Sequence, residues 1–151
     1  MFVMKKLLKI SLVLTVLMLI NKAGFSQLHV SVETLSQNKV GLGYSFSDRL
    51  WTELRFYEAS QFSDFTPEMV FCVNLVKKEY HAVYLGVGGV INYYTGLTVP
   101  VGTQIFPFEK NKNLSLNIEF QTVLGFGSGD LAFQTQFGLK YRFGKKYITE
   151  Y

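Results

Sequence analysis

His29, Ser31 and Glu33 stand one residue apart from each other in the run Leu28-His29-Val30-Ser31-Val32-Glu33-Thr34. A histidine, a serine and an acid are the ingredients of nucleophilic catalysis, as base, nucleophile and orienting group. Alternate spacing puts all three on one face of a β-strand. Side chains two apart on a strand stand about 6–7 Å from each other, too far for direct hydrogen bonds. The set therefore reads as polar lining. Other chemistries find less support. Two histidines, His29 and His81, and one cysteine, Cys72, make no metal-ligand spacing. Gly86-Val87-Gly88-Gly89 and Gly125-Phe126-Gly127 lack the strand-to-helix setting that a phosphate cradle needs. A single thiol makes no internal disulfide, so Cys72 reads as a small buried filler. No cofactor is expected.

Opposite charges are the next candidates. Glu53 lies two residues from Arg55, and Glu33 or Glu119 can meet Lys140, Arg142 or His29 if their strands face one another. Such a set serves either as an ion path or as a salt-bridged plug. Buried charges have to pair, and narrow barrels are filled by their own side chains, which favours the plug.

The elements that would position these residues follow from a period of two. In Leu131 to Phe143 the odd positions are Leu, Phe, Thr, Phe, Leu, Tyr and Phe, and the even ones are Ala, Gln, Gln, Gly, Lys and Arg. Leu114 to Phe126 repeats the pattern. Shorter alternations run over 28–34, 40–46, 50–57, 70–75, 82–91 and 97–105, giving eight strands. Turn residues separate them: Ser36-Gln37-Asn38, Ser47-Asp48, Lys77-Lys78-Glu79, Asn92 to Gly96, Pro107 to Asn113 and Gly127 to Asp130. The longest connection, Glu58 to Glu68, combines Glu58, Asp64 and Glu68 with Phe62 and Phe65, and is the expected binding loop, since long loops on a rigid scaffold carry function.

The first 26 residues read as a signal peptide. Lys5, Lys6 and Lys9 precede an eleven-residue, mostly apolar run from Ile10 to Ile20, and Gly24 and Ser26 supply small residues for cleavage before Gln27. All 11 acidic residues follow Ser26, whereas four lysines precede Gln27, leaving 11 basic residues in the remainder. That remainder is formally neutral, so the basic overall charge is no argument for nucleic acid.

Alternation alone suits a soluble sandwich too, so the bulk of each face decides. One face carries Leu, Val, Ile, Phe and Tyr, and the other Gly, Ser, Ala, Asn, Gln and a few charges. An eight-stranded barrel has room inside only for modest side chains. The voluminous face therefore belongs outside, in lipid, and closure follows because an open strand edge in hydrocarbon leaves backbone groups unpaired. Tyr44, Phe46, Tyr141 and Phe143 fall near one rim, and Phe56, Tyr93, Tyr94 and Phe126 near the other, as interfacial girdles would. Inward glycines (Gly86, Gly88, Gly102, Gly125) make room for Trp51, Tyr57 and Tyr84 or allow curvature.

The last strand carries Gln136-Phe137-Gly138-Leu139-Lys140-Tyr141-Arg142-Phe143. This resembles the assembly signal of small eight-stranded outer membrane β-barrel proteins of diderm bacteria, the porin-like or outer membrane β-barrel group, with Gln136, Gly138, Tyr141 and Phe143 at its defining positions. The resemblance covers Gln27 to Lys146 and leaves 147–151 as a tail. It implies an all-β, antiparallel up-and-down transmembrane barrel in the outer membrane, with that membrane's lipids and the barrel-assembly machinery as partners and no nucleic acid; no ligand is indicated. The implied role is non-enzymatic, structural or loop-mediated. A narrow pore for small solutes is the alternative. A lipid A deacylase is a further one, since those enzymes resemble this chain in using a His-x-Ser pair and a Glu on a barrel. Their pair, however, lies on a later strand and faces lipid.

Overall fold

The computed structural model describes residues 28–58, 66–91, 95–127 and 129–143. The expected signal peptide and the tail at 147–151 lie outside them, as do Tyr93 and Tyr94. The described residues form eight strands: β1 (Leu28–Leu35), β2 (Lys39–Ser45), β3 (Leu50–Tyr57), β4 (Thr66–Lys77), β5 (His81–Val90), β6 (Gly96–Ile105), β7 (Leu114–Gly125) and β8 (Leu131–Arg142). Each pairs antiparallel with the next, and β8 pairs with β1, from His29 opposite Arg142 to Leu35 opposite Gln136. The result is a closed all-β barrel without a sheet edge.

Closure follows from the alternation. On every strand the odd-and-even division places one set of side chains in the lumen and the other outside. A one-residue slip between any two strands would exchange the two sets, so the register is strongly specified.

The structure corrects the reading of β4. It was expected over 70–75 and spans Thr66–Lys77, so Glu68 belongs to this strand rather than to the preceding loop. A bulge between Asn74 and Val76 leaves Leu75 and Val76 both facing outward, and Lys77 returns to the inside. The alternation is broken there by one residue, which makes the strand's end read as a turn. On β6, Pro100 has no N–H to donate, and the β5–β6 ladder is interrupted between Leu85 opposite Val101 and Gly88 opposite Thr98.

The short β2–β3 turn is held locally: Ser47 Oγ accepts from the N–H groups of Arg49 (3.2 Å) and Leu50 (3.0 Å). It is also tied to its neighbour, since Asn74 Nδ2 donates to Asp48 O at 2.9 Å and Lys77 Nζ lies 2.9 Å from Asp48 Oδ1. In the β7–β8 turn Gly127 and Gly129 take positive φ, 108° and 69°, where other residues would be strained.

The start of β1 and the end of β8 share one end of the barrel with the 46–49, 78–80 and 106–113 turns; this is the terminal end.

Candidate functional site

The lumen is where the chemistry-bearing side chains meet. Arg55, on β3, is at its centre. Its Nη1 and Nη2 donate to the two oxygens of Glu119 on β7, at 2.6 and 2.7 Å, and its Nε donates to Glu53 Oε1 at 2.9 Å. Glu33 Oε1 lies 3.7 Å from Nη2, and Glu68 Oε1 3.9 Å from Nη1. One guanidinium thus stands among carboxylates from β1, β3, β4 and β7. The planar fork of arginine suits this, because it can donate along several directions at once.

Around that centre the remaining lone pairs are largely taken. Glu53 Oε2 lies 2.9 Å from His29 Nε2 and 3.0 Å from Lys140 Nζ, while Ser31 Oγ donates to Glu53 Oε1 at 2.8 Å. Glu119 Oε2 also accepts from Tyr84 OH at 2.6 Å, and Asn117 Nδ2 donates to Glu33 Oε1 at 3.0 Å. Towards the end opposite the termini, Glu68 accepts from Tyr57 OH (2.7 Å), Lys39 Nζ (3.3 Å) and Gln121 Nε2, and Lys39 donates to Gln121 Oε1 at 2.5 Å. Towards the terminal end the lumen becomes aromatic. Trp51 meets Tyr84 edge to face at 5.1 Å and His29 at 5.6 Å, and Lys140 Nζ sits 3.7 Å from the Trp51 ring centroid. Trp51 Nε1 in turn donates to Asn74 Oδ1 at 3.1 Å.

This lumen is packed. Glu53, Arg55, Glu68, Glu119, Gln121 and Gln136 each have 0 % of their surface accessible.

The geometry sorts the expected residues. His29, Ser31, Glu33, Glu53, Arg55, Glu119 and Lys140 all come together in the lumen. The partners differ from those suggested by order along the chain. His29, Ser31 and Lys140 converge on Glu53, whereas Glu33 and Glu119 turn to Arg55. Ser31 donates to the acid and not to His29, so no nucleophile–base contact is assembled. Arg142 is half-buried at the terminal mouth, opposite His29 in the β1–β8 pairing. Lys39 and Lys77 were missed, although Lys39 extends the inward phase of Gly41, Gly43 and Ser45 and could have been found by carrying the alternation two residues back.

The expected binding loop is divided. Glu68 is removed from it and buried. Glu58 is exposed and accepts from Asn38 Nδ2 at 3.0 Å, tying two connections together. Phe62, Asp64 and Phe65 lie outside the described residues. On β8, Gln136 and Gly138 face inward and Tyr141 outward. Tyr141 and Phe143 meet edge to face at 5.3 Å, as Tyr44 and Phe46 do at 5.2 Å. The inward glycines answer to several kinds of neighbour, and two of those expected to make room for large aromatics do not: a Cβ at Gly86 would strike Cys72 and Phe71 O, and at Gly88 Val70 and Met69 O. A Cβ at Gly41 would strike Ser31 and Glu53, at Gly43 His29, and at Gly138 Glu33, with Gly102 making room for Tyr84 as expected.

The outer face is the counterpart of the lumen. No Asp, Glu, Lys or Arg points outward from any described strand position. Its polar members are chiefly threonines, and two of these turn their hydroxyls onto the backbone: Thr52 to Val70 O at 2.8 Å and Thr103 to Ala82 O at 3.1 Å.

No protein-family model and no curated protein matches the chain. A solved structure described as "De novo design of transmembrane beta-barrels" is similar, with a TM-score of 0.52 and 18% identity over 76% of this chain and 90% of that one. At that identity the likeness concerns the fold alone, a closed β-barrel.

Proposed function

We propose that this chain is an integral barrel of a bacterial outer membrane, delivered there by its N-terminal segment, with a structural or loop-mediated role in the envelope and no catalytic activity. One observation carries the reading: an outer wall without a charged residue at any described strand position. Soluble proteins rarely expose a contiguous apolar patch beyond a few hundred Å², and here it encircles the molecule. Strand length agrees. Ten residues at about 3.4 Å each, tilted near 40°, rise roughly 25 Å, the height of an outer-membrane barrel's apolar band. With the terminal end in the periplasm, the connection from Glu58 to Thr66 faces outward, where a partner would meet it. Gln136, Gly138, Tyr141 and Phe143 serve as the signal read by the assembly machinery.

Membrane fractionation with electrophoresis before and after boiling tests this. The expected result is an outer-membrane band whose mobility changes on heating, because a folded barrel resists detergent until boiled. Recovery as a detergent-free periplasmic monomer would refute it. The sealed mid-lumen also leads us to expect no reproducible conductance from the refolded protein in a planar bilayer.

A further inference from the structure

The four lumen glutamates are not equally provided for. Both oxygens of Glu119 accept from Arg55, and one of them also accepts from Tyr84 OH. Glu53 has Ser31 and Arg55 Nε on one oxygen, with His29 and Lys140 Nζ against the other. Glu68 has Gln121 on one oxygen, with Tyr57 and Lys39 on the other. Glu33 is the exception. Its Oε1 accepts from Asn117 Nδ2 at 3.0 Å, but its Oε2 has no hydrogen-bond partner, although only 1 % of the residue is exposed.

No cation is left over for it. Lys39 stands directly opposite Glu33 in the β1–β2 register, yet its ammonium turns to Glu68 and Gln121. Arg55 Nη2 lies 3.7 Å from Glu33 Oε1 and is already committed to Glu119 at 2.7 Å. Lys140 lies against Glu53 and the Trp51 ring. The other ionisable groups turned inward are His29 on β1 itself, Tyr57 on β3, Cys72 on β4 and Tyr84 on β5. Lys77, Lys112 and Arg142 stand towards the terminal mouth, and β6 has no ionisable residue.

A buried ionised oxygen with neither donor nor counter-ion costs far more than a neutral hydroxyl in the same place. A proton on Glu53, Glu68 or Glu119 would displace a donor already seated there. His29 Nδ1 also lacks a partner. Protonating it would create a cation beside Lys140, which shares Glu53 Oε2 with it, and a new N–H without an acceptor. We infer that the closed lumen keeps one proton at neutral pH, held on Glu33 Oε2, and that raising the pH loosens the barrel by removing it. In the unfolded chain a glutamate ionises at about pH 4.3, so above that the folding chain takes up a proton. Stability then falls as pH rises, by about tenfold in the unfolding constant per pH unit, until Glu33 ionises in the folded barrel too.

Urea unfolding of the full chain in lipid vesicles, from about pH 6 to about pH 9, tests this on wild type and Glu33→Gln. Their ratio cancels the titration of His29, Cys72 and Tyr80, which both proteins share. Glu33→Gln keeps an acceptor for Asn117 and is expected to unfold within about threefold of wild type at neutral pH. With rising pH the wild type should weaken against it by up to about tenfold per unit. Glu68→Gln, which strips Lys39 of its carboxylate, should instead cost about a hundredfold or more and keep the wild-type slope. A wild-type to Glu33→Gln ratio that stays flat across the range would overturn the inference. So would a slope that survives in Glu33→Gln and vanishes in His29→Gln, which moves the proton to the imidazole. Infrared spectra of the folded wild type at neutral pH give a reading that needs no variant to fold. The carbonyl band of a protonated carboxyl is expected, and its absence refutes the proton on Glu33.

Discussion

Arg55 and Glu119 grip each other across the lumen through two parallel contacts of 2.6 and 2.7 Å, although β3 and β7 share no ladder. The pair joins opposite walls of the barrel, and the other three lumen glutamates gather around the same guanidinium. Its worth lies in what its absence would leave: buried carboxylates without their common counter-ion.

Arg55→Leu is therefore expected to destabilise the barrel by about 3–5 kcal/mol, the usual cost of removing one partner from a buried charge cluster. Arg55→Lys should fall well short of wild type, because an ammonium cannot fork between Glu119 and Glu53. Equilibrium unfolding in urea, with the protein in lipid vesicles, measures both. A loss under about 1 kcal/mol for Arg55→Leu would mean that the cluster is not organised by this residue.

The outer wall makes the opposite demand. Phe120 is half exposed near the middle of β7 and lies outside, beside Phe133, with ring centroids 5.9 Å apart. In a bilayer, Phe120→Arg should cost about 2–4 kcal/mol, the range for a cation on a barrel's lipid face near mid-depth. In water the same change would be tolerated and would raise solubility. Vesicle-based unfolding gives the sign directly.

Gly43 carries a packing prediction. A Cβ there would collide with the His29 ring and come within 2.7 Å of Thr52 O, a backbone atom that cannot move aside. Gly43→Ala should cost about 1–3 kcal/mol, as overpacking usually does. Restoring room with Gly43→Ala together with His29→Ala should recover part of that loss, though it gives up the His29–Glu53 hydrogen bond. No recovery in that double variant would place the strain in the backbone alone.

Tyr80, in the β4–β5 turn, donates to Glu109 Oε1 at 3.1 Å. That hydrogen bond and the negative charges of Glu109 and Glu79 hold its pKa above the ordinary 10.0, since both oppose a phenolate. A raised folded-state pKa contributes stability that is present below the unfolded value and lost as pH rises through the folded one. Glu109→Gln should bring the Tyr80 transition down. The phenolate absorbance of each protein, less that of its Tyr80→Phe counterpart, follows it; an unmoved midpoint would show that the contact does not persist in solution.

What could be read from the chain depended on how local the cause was. The inward and outward sets of β7 and β8 were legible because alternation is a property of the extended backbone itself. β4 reads short at its far end because a bulge at Asn74 and Val76 interrupts that rhythm, and short at its start because Pro67 gives Thr66-Pro67-Glu68 the look of a loop, which takes Glu68 with it. Lys39 lies one residue before the alternation read over 40–46, as the next inward position before Gly41.

The sequence by itself determined that eight strands form and that each keeps bulky apolar groups apart from small polar ones. Chain order could not determine the partners inside. Glu53 rather than Glu33 receives His29 and Ser31, and Arg55 finds a carboxylate 64 residues away. Those pairings depend on how far each strand slides against the next before the sheet closes. Closure alone brings β3, β7 and β1 around one centre, and this relation among all eight strands is written in no single one of them.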